Sequence, residues 1–139
     1  MKFKYLVDLN SKTTTGRLKK RPVVEVTLSK NGKSRDFFAV IDSGADVTTM
    51  STQVAEILGI DWKNCRRGNL LGISGITQNS YYDELDITVK TLDDMFTIPV
   101  VFTEAIIPIL LGQEGFFDRY RIKFEKDHDT FEITLAPKR

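Results

Sequence analysis

Cysteine is almost absent from this chain of 139 residues: Cys65 stands alone, so no intrachain disulfide can form and nothing asks for an oxidising compartment. Its neighbours Arg66 and Arg67 bring no base beside it, and it reads as a structural thiol. Histidine is equally scarce. His128 has no cysteine or second histidine near it, whereas zinc takes three or four such ligands, so neither a metal nor any other cofactor is expected. Long apolar runs are missing too, and no segment approaches the roughly 18 residues of a spanning helix. The opening Met1-Lys2-Phe3-Lys4-Tyr5-Leu6-Val7-Asp8 carries charges where a signal peptide would be apolar. The expectation is a cytoplasmic protein, neither secreted nor membrane-bound. Finally, no sign of charge dominates. Twenty basic against 19 acidic residues leave a net +1, which gives no field for nucleic acid. The single basic run, Arg17-Leu18-Lys19-Lys20-Arg21, lacks interleaved aromatic residues and reads as a solvated arm.

The remaining composition, 41% hydrophobic and 28% charged, is that of an ordinary globular chain of one-domain length. Period-2 alternation predicts strands at 3–9, 23–28 and 35–41, with a polar loop over 10–16 and a two-residue turn at Asn31-Gly32. Residues 1–22 thus supply an N-terminal strand and polar loop to the same domain as residues 23–139. Helical spacing is confined to 51–58, capped by Ser51 or Thr52 and stopped by Gly59, and to a short stretch at 113–118. Further strands are predicted at 69–73, 81–89, 96–102, 120–125 and 130–135, with Pro99 best suited to an edge or bulge. Many short strands with little helix point to a mainly β, closed or folded-over architecture.

The most informative segment is Asp42-Ser43-Gly44-Ala45, entered from the apolar run Phe37-Phe38-Ala39-Val40-Ile41. Gly44 lets the main chain turn sharply without a Cβ clash; taken alone, Asp-Ser-Gly is also common turn chemistry. Two further landmarks follow in order: Gly72-Ile73-Ser74-Gly75, and Ile109-Leu110-Leu111-Gly112 before a short helix. The glycine-bounded segment lacks the Lys-Ser/Thr of a phosphate loop and reads better as a bending hairpin with an apolar tip. Acids elsewhere, at Asp83, Glu84, Asp86, Asp93, Asp94, Asp127 and Asp129, fall in strands or turns and read as solvated surface. Trp62, Tyr81 and Tyr82 read as core or groove wall.

In this order the three landmarks resemble the retropepsin-like, single-domain aspartic protease family over residues 23–135. The resemblance implies a mainly β acid-protease barrel with one or two short helices. It implies Asp42 as the catalytic carboxylate, Ser43 as the hydroxyl bracing two active-site loops and Gly44 beside the substrate's path. Ala45 and Asp46 would contact a bound polypeptide, Gly72, Ile73, Ser74 and Gly75 would form a mobile flap, and Leu110, Leu111 and Gly112 would pack beneath the catalytic loop. Retroviral members often carry arginine after that glycine, pairing with the acid at the position of Asp46; here Gln113 and Glu114 follow instead. The long C-terminal hairpin at 120–135 is more similar to cellular and bacterial relatives than to viral ones.

Peptide hydrolysis by this route needs two carboxylates close enough to share one proton. No second Asp-Ser/Thr-Gly occurs in the chain, so the second aspartate is expected to be Asp42 of another copy in a symmetric homodimer. Residues 3–9 and 120–135 are the candidates for its contact by family likeness. The alternative is a catalytically silent peptide-binding or dimerisation module of the same fold, recognising an extended chain by strand addition.

Overall fold

The computed structural model describes residues 1–71 and 77–137. Its strands are β1 (Lys2–Lys4), β2 (Leu6–Lys12), β3 (Leu18–Arg21), β4 (Val23–Lys30), β5 (Lys33–Ile41), β6 (Thr48–Ser51), β7 (Arg66–Leu71), β8 (Thr77–Val89), β9 (Met95–Thr103), β10 (Ile109–Leu111), β11 (Tyr120–Glu125) and β12 (Thr130–Leu135). Two short helices, α1 (Thr52–Ile57) and α2 (Phe116–Arg119), complete the set with two 3-10 turns, Trp62–Asn64 and Lys126–His128.

The main sheet runs β4-β5-β10-β6-β9-β8, and β8 returns to pair with β4, so six strands close into a ring, with β7 added outside β8. Closure follows from the patterning. Along β4, Val24, Val26 and Leu28 are buried while Glu25, Thr27 and Ser29 face outward, and β5, β8 and β9 turn Ala39, Ile41, Leu85, Ile87, Ile98, Val100 and Phe102 to the same core. Each fully buried aliphatic side chain contributes about 1.5–3 kcal/mol. The β4–β5 hairpin closes at Lys30↔Lys33. Asn31 and Gly32, at φ 50° and 82°, both adopt the left-handed conformation of the expected tight turn.

Helix α1 matches its signals closely: the Ser51 hydroxyl accepts from the Gln53 N–H at 3.1 Å, and the helix stops before Gly59. Trp62 and Tyr81 are core residues in edge-to-face contact.

Several expectations need correction. The strand predicted at 3–9 is two strands: β1 pairs with β12, β2 pairs with β3, and the chain turns at Tyr5, whose N–H reaches the Asp129 carbonyl at 2.7 Å. Alternation reads continuously through this corner because both halves are strands and only their partners differ. The polar loop accordingly shrinks, since residues 10–12 belong to β2, and the basic run is largely strand β3 rather than an arm, with Lys20 on Asp129 (3.2 Å) and Arg21 on Asp8 (2.8 Å).

Pro99 lies within β9 opposite Glu84 of β8, but the parallel ladder to β6 begins only at Val100. The proline therefore occupies the one-sided half of the strand, where a missing donor is tolerated. Asp94 is not free surface. It accepts from Arg119 Nε (2.9 Å), Arg119 Nη2 (2.6 Å) and Tyr120 Oη (2.6 Å), and Arg119, then Tyr120, hold its carboxyl down at about 2. Asp83 likewise receives Lys30 at 3.2 Å.

Candidate active site

Strand β5 brings Asp42 to its place. Ala39 and Ile41 are buried, β10 runs parallel alongside with Leu111 opposite Ile41, and the Asp42 N–H continues that ladder to the Leu111 carbonyl at 3.0 Å. The chain then turns: the Ala45 N–H returns to the Asp42 carbonyl at 3.2 Å, and the Gly44 N–H donates to Asp42 Oδ1 at 2.9 Å. A donor aimed at a carboxylate oxygen fixes that side chain's rotation.

Gly44 is needed for room rather than for backbone freedom. Its φ lies outside the left-handed region, and a Cβ there would sit 3.2 Å from Asp42 Oδ1. The expectation that glycine lets the chain turn here without a Cβ clash agrees with this contact.

Beneath the turn, residues 112–114 form a row of donors. Gln113 N–H reaches the Ala45 carbonyl at 2.8 Å and Glu114 N–H the Asp46 carbonyl at 2.9 Å, while Gln113 Nε2 donates to the Ser43 carbonyl at 2.7 Å. The Gly112 N–H is taken by the hydroxyl of Thr48, which is fully buried, at 3.3 Å. A Cβ on Gly112 would lie 2.6 Å from the Val47 carbonyl oxygen and 2.7 Å from that of Ala45, so two backbone segments touch here and only glycine fits. Helix α2 starts later than expected: residues 113–114, expected to be helical, lie along the aspartate loop with Glu114 bridged to Val47, and Gly115 takes φ 87° before the helix begins at Phe116.

The predicted site residues are thus distributed unevenly. Asp42 is half-buried and held; Ser43, Gly44 and Asp46 are exposed and Ala45 is half-buried. Among the described residues neither the Ser43 hydroxyl nor the Asp46 carboxylate has a hydrogen-bond or ion-pair partner within the chain. Gly72, Ile73, Ser74 and Gly75 lie outside the described residues. Thr48 and the side chain of Gln113 were not singled out from sequence as parts of the site. Gln113 left a trace, standing where an arginine was expected, but Thr48 acts 64 positions away and leaves no local signal.

Asp42 lies at the edge of a cleft of about 990 Å³, walled by Leu6, Val7 and Leu9 of β2, Phe38 and Val40 of β5, and Leu110 of β10. The walls are apolar, and the Asp8–Arg21 pair also lines it. The Asn10 N–H and then Arg21 hold the Asp8 carboxyl below its ordinary range. A second cleft of about 800 Å³, lined by Phe117, Arg119, Arg121 and Leu135 among others, shares no residue with the first. Burial, then Asp83, pushes the Cys65 thiol up, the direction that disfavours the thiolate. Among the described residues no cluster of three or more His, Cys, Asp or Glu side chains could hold a metal ion, and no helix is long and apolar enough to cross a membrane.

A family model described as retroviral aspartyl protease matches residues 18–116, which takes in the Asp42 turn, the ring of six strands and the donor row beneath the turn. The chain belongs to the retroviral aspartyl protease family. Among solved structures, a retropepsin-like aspartic protease from Rickettsia conorii is similar at 15% identity with a TM-score of 0.63, over 96% of this chain and 89% of that one. This shows the retropepsin-like fold. The protease of EIAV, in complex with the inhibitor HBY-793, aligns at 19% identity and a TM-score of 0.48, over 68% of this chain and 84% of its own. The retroviral protease-like domain of Ddi1 from Leishmania major aligns at 17% identity and 0.49, over 83% and 94%. No curated protein matches the sequence.

Proposed function

We propose that this chain is an aspartic endopeptidase whose working unit is a homodimer, each copy supplying one Asp42. The observation that carries the reading is the held carboxylate: Asp42 ends a buried strand, receives the Gly44 N–H, and stands beside an apolar cleft. With one Asp-Ser-Gly per chain, two copies are needed to bring two carboxylates to about 3 Å, where they share a single proton. The ionised member takes a proton from water, whose oxygen attacks the peptide carbonyl carbon. The protonated member donates to the carbonyl oxygen; on collapse of the tetrahedral adduct one of its hydroxyls returns a proton to the pair, the pair protonates the nitrogen, and the amine leaves, restoring the single shared proton.

In this reading Ser43 and Gly44 frame the catalytic turn, and Ala45 and Asp46 contact the substrate backbone. Gly72, Ile73, Ser74 and Gly75 close over the polypeptide, and the cleft walls take its apolar side chains. Asp46, with no partner of its own in the chain among the described residues, is available to a substrate amide. A single thiol and no disulfide suit a cytoplasmic enzyme, and the balanced charge gives no support to a nucleic-acid partner.

Digestion of a diverse peptide library by the purified protein across pH, with product ends read by mass spectrometry, tests this. Cleavage is expected on a bell-shaped profile reporting the shared proton, insensitive to chelators and thiol reagents, and abolished in Asp42→Asn with the fold retained. Binding of peptides without cleavage at any pH would favour the silent module instead.

A further inference from the structure

The peptide unit joining Ser43 to Gly44 has partners on both sides. Its carbonyl oxygen accepts from Gln113 Nε2 at 2.7 Å, and its N–H donates to Asp42 Oδ1 at 2.9 Å. Because a peptide unit is planar, turning the carbonyl away from Gln113 also turns the N–H away from the carboxylate. Gln113 is itself anchored, its own N–H bonded to the Ala45 carbonyl at 2.8 Å, so one residue grips the loop at two carbonyls on either side of Gly44. Among the described residues the Ser43 carbonyl has no other donor.

We propose that Gln113 is a positioning residue for the reaction, its side-chain amide setting the plane of the 43–44 peptide and through it the orientation of the Asp42 carboxylate. The inference rests on Asp42 being the catalytic acid, but the juxtaposition can be tested without turnover. A carboxamide does not titrate. The clip therefore keeps its strength through the acid range in which the shared proton of the carboxylate pair must come and go, whereas an ion pair at this place would weaken there.

The test is a Gln113 series read in two ways. In 15N-labelled protein, Gln113→Ala should move the Gly44 amide proton upfield and speed its hydrogen exchange. In Gln113→Glu the same signal should match wild type at low pH, where the introduced carboxyl carries a proton to donate, and approach Gln113→Ala as pH rises through about 4.3, the ordinary glutamate value. In peptide cleavage, Gln113→Ala should lower kcat about tenfold, as loss of one well-placed hydrogen bond does, with KM nearly unchanged. The activity of Gln113→Glu relative to wild type should fall over the same pH interval. A Gly44 amide indifferent to all three side chains would overturn the proposal, as would a Gln113→Glu defect constant with pH. Cleavage that survives Asp42→Asn would instead overturn the aspartic reading, while the Gly44 signal would still report on the clip.

Discussion

At the scale of single residues the site is a matter of close approach. Asp42 is fixed from three directions: its N–H on Leu111, its carbonyl accepting from Ala45 and its carboxylate accepting from Gly44. Gly112 makes this geometry attainable by letting the main chain of 45–47 rest on residues 111–114 without an intervening Cβ. Gly112→Ala is therefore expected to destabilise the protein by about 3 kcal/mol, the upper end of what overpacking costs, because the nearest atoms are backbone and cannot swing aside. Chemical denaturation checks this: a midpoint equal to wild type would show that the two segments are not in contact. Gly44→Ala meets only a side-chain oxygen at 3.2 Å, so it should fold and be impaired in cleavage. The place of Asp42 at the end of a buried strand was legible from the apolar run before it, and the need for room at Gly44 from the sharp turn; the contact of Gly112 with the main chain of 45–47 was not, because it joins segments far apart in the sequence.

At the scale of elements, sequence reading succeeds where the determinants are local. The Asn31-Gly32 turn, the Ser51 cap and the β11–β12 hairpin each depend on neighbours within a few positions. It fails where a choice of partner decides the outcome, as at Tyr5, where period-2 alternation cannot say that β1 goes to β12 and β2 to β3. Asp94 is the same failure in a side chain, its partner Arg119 lying 25 positions on. That network ties the start of β9 to α2 and β11, and Arg119 also covers the Phe96 ring at 4.5 Å.

Its pH signature follows from sign. The Asp94 carboxyl is held at about 2 against an ordinary 3.8. Its stabilisation is therefore complete above 3.8 and is lost as pH falls toward 2. Arg119→Ala should flatten the acid limb of thermal stability and cost about 1–2 kcal/mol at neutral pH, a figure kept small because Arg119 is 37% exposed. Melting curves from pH 7 to 2 measure it. A variant whose acid limb superimposes on wild type would remove Asp94 from the account.

At the scale of the whole molecule, the six-stranded ring is closed by the β4–β8 pairing, Val26 opposite Val89, and its core is complete within one chain. Leu6, Leu9 and Phe38 remain exposed by 42%, 78% and 63% around the cleft that Asp42 lines, and in the proposed reaction a second carboxylate, from another copy, donates a proton while the first accepts one. In the three-stranded sheet β12 is flanked by β1 and β11 of its own chain, leaving β1 and β11 as its edges. Whether two Asp42 residues from two copies share the reaction can be read from subunit poisoning. Wild-type protein is mixed with a ninefold excess of Asp42→Asn, subunits are allowed to exchange, and cleavage is measured per wild-type chain. Random pairing leaves only about one wild-type chain in ten with a wild-type partner. A site shared by two copies lowers specific activity to about one tenth; activity per wild-type chain unchanged by the excess, with exchange verified by mass spectrometry of differently labelled chains, would rule out the shared site.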